Sequence, residues 1–172
     1  MKPNQAKIIK FGINYGIITG LIGIIFTAFL IAINMLYSQS IFKSIAGFFV
    51  LIVPIIITIS NFKKQNNNFL SVGQAVGVGV ITAVVSALIT IVFTYLLTNF
   101  ILSDFWDKSA AFNSVMLQQQ NPNITQEQLN STIALQRKMA WITYPFILLF
   151  NLSIGFITSL ITGITLKTTE NL

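Results

Sequence analysis

Four stretches of this chain, at about residues 11–37, 41–60, 72–102 and 140–166, are long, apolar and free of charge apart from Lys43. No other feature restricts the fold as strongly. A helix needs about 20 apolar residues to cross roughly 30 Å of hydrocarbon. Backbone N–H and C=O groups in lipid must pair within their own segment, so each stretch reads as a transmembrane helix. Lys43 lies close enough to a helix end for its ammonium group to reach the surface. The composition agrees: 54% of residues are hydrophobic, 8% are charged and the mean hydropathy is +0.79. A soluble domain carries about a quarter charged residues. The chain reads as an all-α integral membrane protein, a single four-span domain over residues 1–172.

The formal charge of +6 raises the question of a nucleic-acid partner. None is expected, because the basic residues flank the apolar spans and form no face interleaved with aromatics. Their placement instead sets topology, since Lys and Arg near span ends favour the cytoplasmic side. Lys2, Lys7, Lys10, Lys63, Lys64 and Lys167 fall on one side; Lys43, Lys108, Arg137 and Lys138 fall on the other. Both termini and the loop "NFKKQNNNFLS" are therefore expected in the cytoplasm. The apolar run after Lys10 is too long for a cleaved signal peptide and reads as a signal anchor. The preference for Lys over Arg, with abundant Ile and Asn, reads as the codon bias of an AT-rich bacterial genome, and so as a multi-pass protein of a bacterial cytoplasmic membrane.

Residues 103–139 are the long polar exception, expected outside the cytoplasm. No Gly or Pro occurs between Val80 and Asn121, so nothing of that kind stops the third helix at the surface. Asn121-Pro122-Asn123 is a turn signal, and Thr125 with Gln128 reads as a capping box opening a new helix. Reflecting one arm on the other about this turn sets Met116 opposite Leu129, Phe112 opposite Ile133, and Asp107 opposite Lys138. The apolar residues of each arm recur at helical spacing. The expectation is a helical hairpin extending the third and fourth spans, with Phe112, Met116, Leu129 and Ile133 as its contacts and a kink at Pro145. The competing reading lays an amphipathic helix flat on the lipid, but such helices are usually basic, and this arm carries Asp104, Asp107 and a single Lys108.

Small residues recur every four positions: Gly12, Gly16 and Gly20; Ala75, Gly79, Ala83 and Ala87; Gly155, Ser159 and Gly163. Such spacing lets helix backbones approach closely, within one bundle or between two copies. The third span also carries Thr82, Ser86, Thr90, Thr94 and Thr98. Hydroxyls in a row either line a polar path or bond back to their own helix. Pro54 bends the second helix, which serves packing or a gate. The uncharged polar residues within or beside spans include Asn14, Tyr15, Asn34, Tyr95, Asn99 and Asn151. Of these, Asn14, Tyr15, Thr90, Tyr95, Asn99 and Asn151 are the candidates for polar lining or interhelical contact. Asn151 falls near mid-bilayer, where an amide needs a partner.

Cysteine and histidine are absent, which removes disulfides, thiolate nucleophiles, imidazole acid–base chemistry and their metal and haem ligands. No span holds a buried acid or base of the kind that ion-coupled pumps use. Asp104 and Asp107 stand one turn apart but suit a helical turn better than a carboxylate dyad. No cofactor, metal site or enzymatic residue is expected.

"NYGIITGLIGI", "FKKQNNNFLSVGQAVGVG", "DFWDK" and "QRKM" occur in that order, at span one, the basic loop with span three, and the two ends of the polar segment. In this the chain resembles the bacterial membrane family called domain of unknown function four-one-nine-nine. The resemblance implies a four-span membrane protein of about this size and brings no binding or catalytic residues. Three function classes stay open. The first is an accessory or protein-interaction module whose hairpin docks a membrane or extracytoplasmic protein, or whose glycine faces make a homo-oligomer. The second is a small passive channel or transporter component. The third is a lipid-acting enzyme, for which no nucleophile or carboxylate set is found.

Overall fold

The computed structural model describes residues 3–38 and 40–168, so Lys2, counted above with the basic side, lies outside the described residues. Among the described residues six α-helices follow one another: α1 (Pro3–Ala32), α2 (Ile41–Gln65), α3 (Val72–Leu96), α4 (Phe105–Gln120), α5 (Gln126–Lys138) and α6 (Thr143–Leu166). A π turn (Leu97–Ile101) prolongs α3 and a 3₁₀ turn (Ala140–Ile142) precedes α6. Among the described residues four helical segments are long and apolar enough to cross a bilayer: Gln5–Ala32, Ile41–Gln65, Val72–Ile101 and Ala140–Leu166. The protein is a multi-pass, all-α membrane bundle.

The first helix sits earlier in the chain than its apolar stretch implies. It stops at Ala32 rather than near Tyr37, because Asn34 takes the left-handed conformation (φ 57°). The amides of Asn34 and Met35 then reach back to the carbonyls of Ile31 (3.0 Å) and Leu30 (2.9 Å). That is the Schellman pattern, in which Asn replaces the usual Gly. Asn34 is thus a helix stop and not a membrane-lining amide. Lys43, in the first turn of α2, donates to the Leu36 carbonyl (2.8 Å) and ties down the same connection.

α3 is the centre of the bundle. It packs along α1 and α6, while α2 lies across it and touches all three. A Cβ placed on Gly12, Gly16 or Gly20 would stand 2.6, 2.6 or 2.8 Å from Ile81, Val85 or Ile89 of α3. On the other flank, Gly79 lies against Ser159, Gly155 against Ala83, and Gly163 against Ala75. The three rows of small residues are therefore spent within the chain, and a homodimer through them would have to break the bundle. The interior is small and hydroxylated: Thr19, Thr58, Thr82, Ser86, Thr158, Ser159 and Thr162 are buried. Many of the largest apolar side chains, such as Ile25, Phe42 and Phe146, face outward, as lipid contact requires.

The two ends of the bundle differ. At one end meet the start of α1, the α2–α3 loop and the end of α6. Lys7 donates to the Gln65 carbonyl, capping α2. Lys63 donates to the Leu166 carbonyl (2.9 Å), capping α6. Leu70 and Thr168 exchange two backbone hydrogen bonds. The orphan carbonyls of two helix ends thus receive ammonium donors from neighbouring helices. Phe11, Ile55, Ile59, Phe62, Leu70 and Val78 fill this basic end. Asn61 joins α2 to α1 through the Tyr15 hydroxyl (3.0 Å).

At the opposite end stand α4 and α5. They pack on each other but do not continue α3 and α6 without a break, as the expectation had it. The amide of Asn99 donates to the Tyr95 carbonyl (2.8 Å), which the Asn99 backbone N–H would otherwise use. The helix widens into the π turn, closed by Leu102 N–H to Leu97 C=O (2.7 Å), and the chain leaves helical geometry at Leu102. A side-chain amide, rather than Gly or Pro, makes this break. Pro145 does not kink α6 either. It falls in the first turn of α6, where proline is tolerated.

The glycine packing gives a direct test. Gly16→Ala should lower bundle stability by about 1–3 kcal/mol through overpacking against Val85. Gly23→Ala should be nearly neutral, since its Cβ meets nothing nearer than the Thr90 hydroxyl at 4.0 Å. Unfolding of the two variants in mixed detergent micelles reads the difference, and equal losses would mean that α1 does not lie on α3 in this register.

Candidate functional site

Three places combine polar groups with accessible space: the cleft along the α4–α5 hairpin, a cavity between the four membrane helices and a surface groove at the basic end.

The hairpin turn forms as its residues dictate. Thr125 accepts from the Gln128 N–H (3.2 Å), and the Gln128 side chain accepts from the Thr125 N–H (3.0 Å), completing the capping box. Asp107 of α4 pairs with Arg137 of α5 (3.0 Å), one position from the expected Lys138. The register deduced by reflection is nearly right; the rotation of α4 is not. The residues buried in the hairpin are Ala110 and Leu129. Trp106, Ser109 and Asn113 of α4 share a cleft of about 330 Å³ with Thr132, Leu135 and Gln136 of α5. Met116 and Ile133 are half-buried, whereas Phe112 keeps 37% exposure and Val115 53%. Ala110, overlooked because Ala is a weak apolar signal, is what lets the arms close. At the base, the Phe105 ring packs on Tyr37 of the α1–α2 connection (centroids 5.6 Å apart). The Tyr37 phenol is pushed above its ordinary value by burial, with Lys108 pulling it down and Asp104 pushing it up. Asp104 pairs with Lys108 (2.6 Å) and holds that ammonium above its usual range.

The cavity, partly open to its surroundings, has a volume of about 220 Å³ and is lined by residues of α1, α2, α3 and α6. Its polar lining comes from Thr19 and Thr27 of α1, Ser86, Thr90 and Thr94 of α3, and Asn151 of α6. Most of the donors are already used on their own helices. Thr19 donates to Tyr15 C=O (2.8 Å), Thr27 to Gly23 C=O (3.0 Å) and Thr90 to Ser86 C=O (3.0 Å). One N–H of Asn151 goes to Ile147 C=O (2.8 Å), within α6 and not across to another helix. What these groups turn toward the cavity is mainly lone pairs. Val50, another lining residue, has a carbonyl to which Pro54 one turn later offers no N–H.

The other polar candidates lie elsewhere. Asn14 and Tyr15 border a surface groove with Lys7, Lys10 and Gln65 at the basic end. Tyr95 is 51% exposed, with its ring near Phe100 and Tyr144 at the level of the π turn. Asn99 is exposed and makes the break described above. Of the six polar candidates, Thr90 and Asn151 share the cavity; Thr19, Thr27 and Gly23 join it without having been singled out as lining. Thr19 and Thr27 follow Tyr15 and Gly23 at one-turn spacing, a signal present in the sequence but masked by the surrounding Ile. Among the described residues no group of three acidic side chains could hold a metal ion.

A family model described as protein of unknown function (DUF4199) matches residues 14–168. The chain belongs to that family. No curated protein and no solved structure matches it significantly.

Cysteines at Asn113 and Thr132, which flank one cleft, should be bridged within a single chain by a short bifunctional thiol reagent. Cysteines at Phe112 and Ile133 should bridge less efficiently, and the reverse order would restore the rotation expected from sequence. A second test uses pH. Because the folded Tyr37 phenol holds its proton more tightly than an ordinary Tyr of value about 10, its contribution is complete below that pH. It is lost as pH rises through the raised value. Tyr37→Phe should therefore lose less stability than the parent chain between neutral pH and about pH 11, read as the difference between two thermal-melt series.

Proposed function

We propose that this family member is an accessory membrane protein, anchored by its four-helix bundle, whose α4–α5 hairpin docks the extracytoplasmic part of a protein partner. The observation that carries the reading is the chemistry of the hairpin surface. Residues 103–139 hold Asp104, Asp107 and Glu127 against Lys108, Arg137 and Lys138, so the segment is neutral overall. Four of those six charges are consumed in the pairs Asp104–Lys108 and Asp107–Arg137. A helix meant to lie on anionic lipid presents a basic polar face, and this one has none to present. It offers the exposed amides of Gln118, Gln119, Gln120, Gln126 and Gln128, with Phe112, Val115 and Leu135 as exposed apolar anchors. Aromatic and aliphatic anchors within a hydrogen-bonding rim suit a protein surface.

The proposal places both termini in the cytoplasm of a bacterial cell, with Lys7, Lys10, Lys63, Lys64 and Lys167 at the cytoplasmic face. It needs no catalytic residue, cofactor or metal. The passive-channel reading draws on Ser86, Thr90, Thr94 and Asn151 around one cavity. Against it stand Ile55, Ile59 and Phe62, each 0% exposed, which close the bundle toward the basic end.

A photo-crosslinking amino acid at Gln119 or Val115, introduced in native membranes, tests docking. The expected result is one reproducible protein adduct that is lost when Phe112→Asp is added in the same chain. Adducts with lipid alone would lay the segment on the membrane, and adducts with a second copy alone would make the hairpin an oligomer contact; either outcome removes the partner reading.

A further inference from the structure

We infer that the cavity between the four membrane helices is a binding site for a small neutral molecule with an apolar body and a hydroxyl or amide N–H donor. It is independent of the hairpin proposal, and either can fail alone.

The space follows from how the small-residue rows end. On α1 the close contacts with α3 run through Gly12, Gly16 and Gly20; the next glycine is Gly23, three positions on instead of four. Gly23 has no α3 atom closer to its Cβ position than 4.0 Å. On α6 the row Gly163, Ser159, Gly155 would next require a small residue at position 151, and Asn151 stands there instead. The packing that joins α3 to its two flanking helices is therefore interrupted at the same level on both sides. Gly47 of α2 adds a third open position, with nothing nearer to its Cβ than Phe26 at 4.0 Å. The cavity lies where these interruptions coincide.

Ser86 points to a ligand. It lines this cavity and is 3% exposed, yet its hydroxyl makes no hydrogen bond with any described residue. No fully enclosed side-chain oxygen or nitrogen among the described residues lacks a partner, so the Ser86 hydroxyl is reached from the cavity. The hydroxyls of Thr19, Thr27 and Thr90 on the cavity wall already donate to their own helices. A free hydroxyl in lipid surroundings calls for a partner.

The same lining fixes the ligand class. No charged side chain lines the cavity, so an ion entering it would lose its hydration without compensation. Thr19, Thr27, Thr90 and the Asn151 carbonyl oxygen offer acceptors to a ligand donor, and Ser86 offers both a donor and an acceptor. Phe26, Phe93, Phe150, Leu51 and Leu97 surround the rest. An engineered apolar cavity of about 150 Å³ holds benzene, so about 220 Å³ admits a ring or short chain carrying one polar group. The volume is below the usual 300 Å³ or more of drug-sized pockets.

The probe is a six-carbon alcohol bearing a diazirine, irradiated with the purified full-length protein in detergent and mapped by mass spectrometry. Adducts are expected on cavity residues such as Thr90, Phe93 or Asn151. Unlabelled hexanol should compete and hexane should not. Gly23→Leu, which fills open space, should abolish these adducts. Because that variant is bulky, Ser86→Ala is the second arm: it should weaken competition by hexanol about three- to tenfold, the worth of one hydrogen bond, with the helical circular dichroism unchanged. Adducts confined to outward-facing residues such as Ile25 and Leu88, equal competition by hexane, or full labelling of Gly23→Leu would each overturn the site.

Discussion

Close approach of α3 to α1 and α6 is the contact on which the rest of this bundle depends. Lipid tails are as apolar as Ile or Leu, so burying such side chains gives membrane helices little reason to associate. What remains is dispersion across well-fitted surfaces and the hydrogen bonds that short distances allow. Glycines 12, 16 and 20 form a groove on α1 that receives the branched side chains of Ile81, Val85 and Ile89. Gly79, Gly155 and Gly163 bring α3 and α6 equally near. Because α3 makes both contacts, its own side chains divide into two faces. Alanines and Gly79 turn to α6, and branched aliphatics turn to α1. α2 then covers the remaining side with Leu51, Ile55, Ile59 and Phe62.

The same contact explains why the molecule is uneven along its axis. Where the small rows persist, the interior is filled and residues such as Ile55, Val78 and Ala83 are wholly buried. Where they end, at Gly20 and Gly155, the cavity opens. The closed half is also the one whose helix ends are cross-capped by Lys7 and Lys63. These lysines supply donors to carbonyls that would otherwise face outward unpaired.

Much of this was legible in sequence, and the parts that were not have definite causes. The third and fourth spans end where hydropathy places them, because an apolar run bounded by polar residues leaves a helix little choice in lipid. The hairpin turn was legible because Asn121-Pro122 and the Thr125–Gln128 box are local signals. The end of α1 was missed because Ile33, Met35 and Leu36 remain apolar past the true stop, and only the left-handed Asn34 reveals it. The break after α3 was missed because Asn99 acts through a side-chain bond to Tyr95, which no Gly or Pro announces. The face of α4 was misjudged because Phe112 outweighs Ala110 on any hydrophobic scale, while close helix contact favours the smaller residue. Thr90 and Asn151 were visible as polar residues in spans; that they share one cavity depends on the α3–α6 register.

That register also links the cavity to the hairpin. Beyond the cavity α3 leads into the π turn and α6 is preceded by the 3₁₀ turn, and Tyr95 and Tyr144 keep the two helices in contact there. Neither turn is a continuous α-helix, so the hairpin is joined to the bundle by two wide or tight turns instead of two rigid rods. Its other tether is the Tyr37–Phe105 contact to the α1–α2 connection. A molecule filling the cavity would press on the stretch of α3 that carries Thr90, Thr94 and Leu97, and Leu97 opens the π turn. Leu97 is thus shared by the cavity wall and the turn that leads toward the hairpin. A two-state change needs a differential contact of this kind to act on.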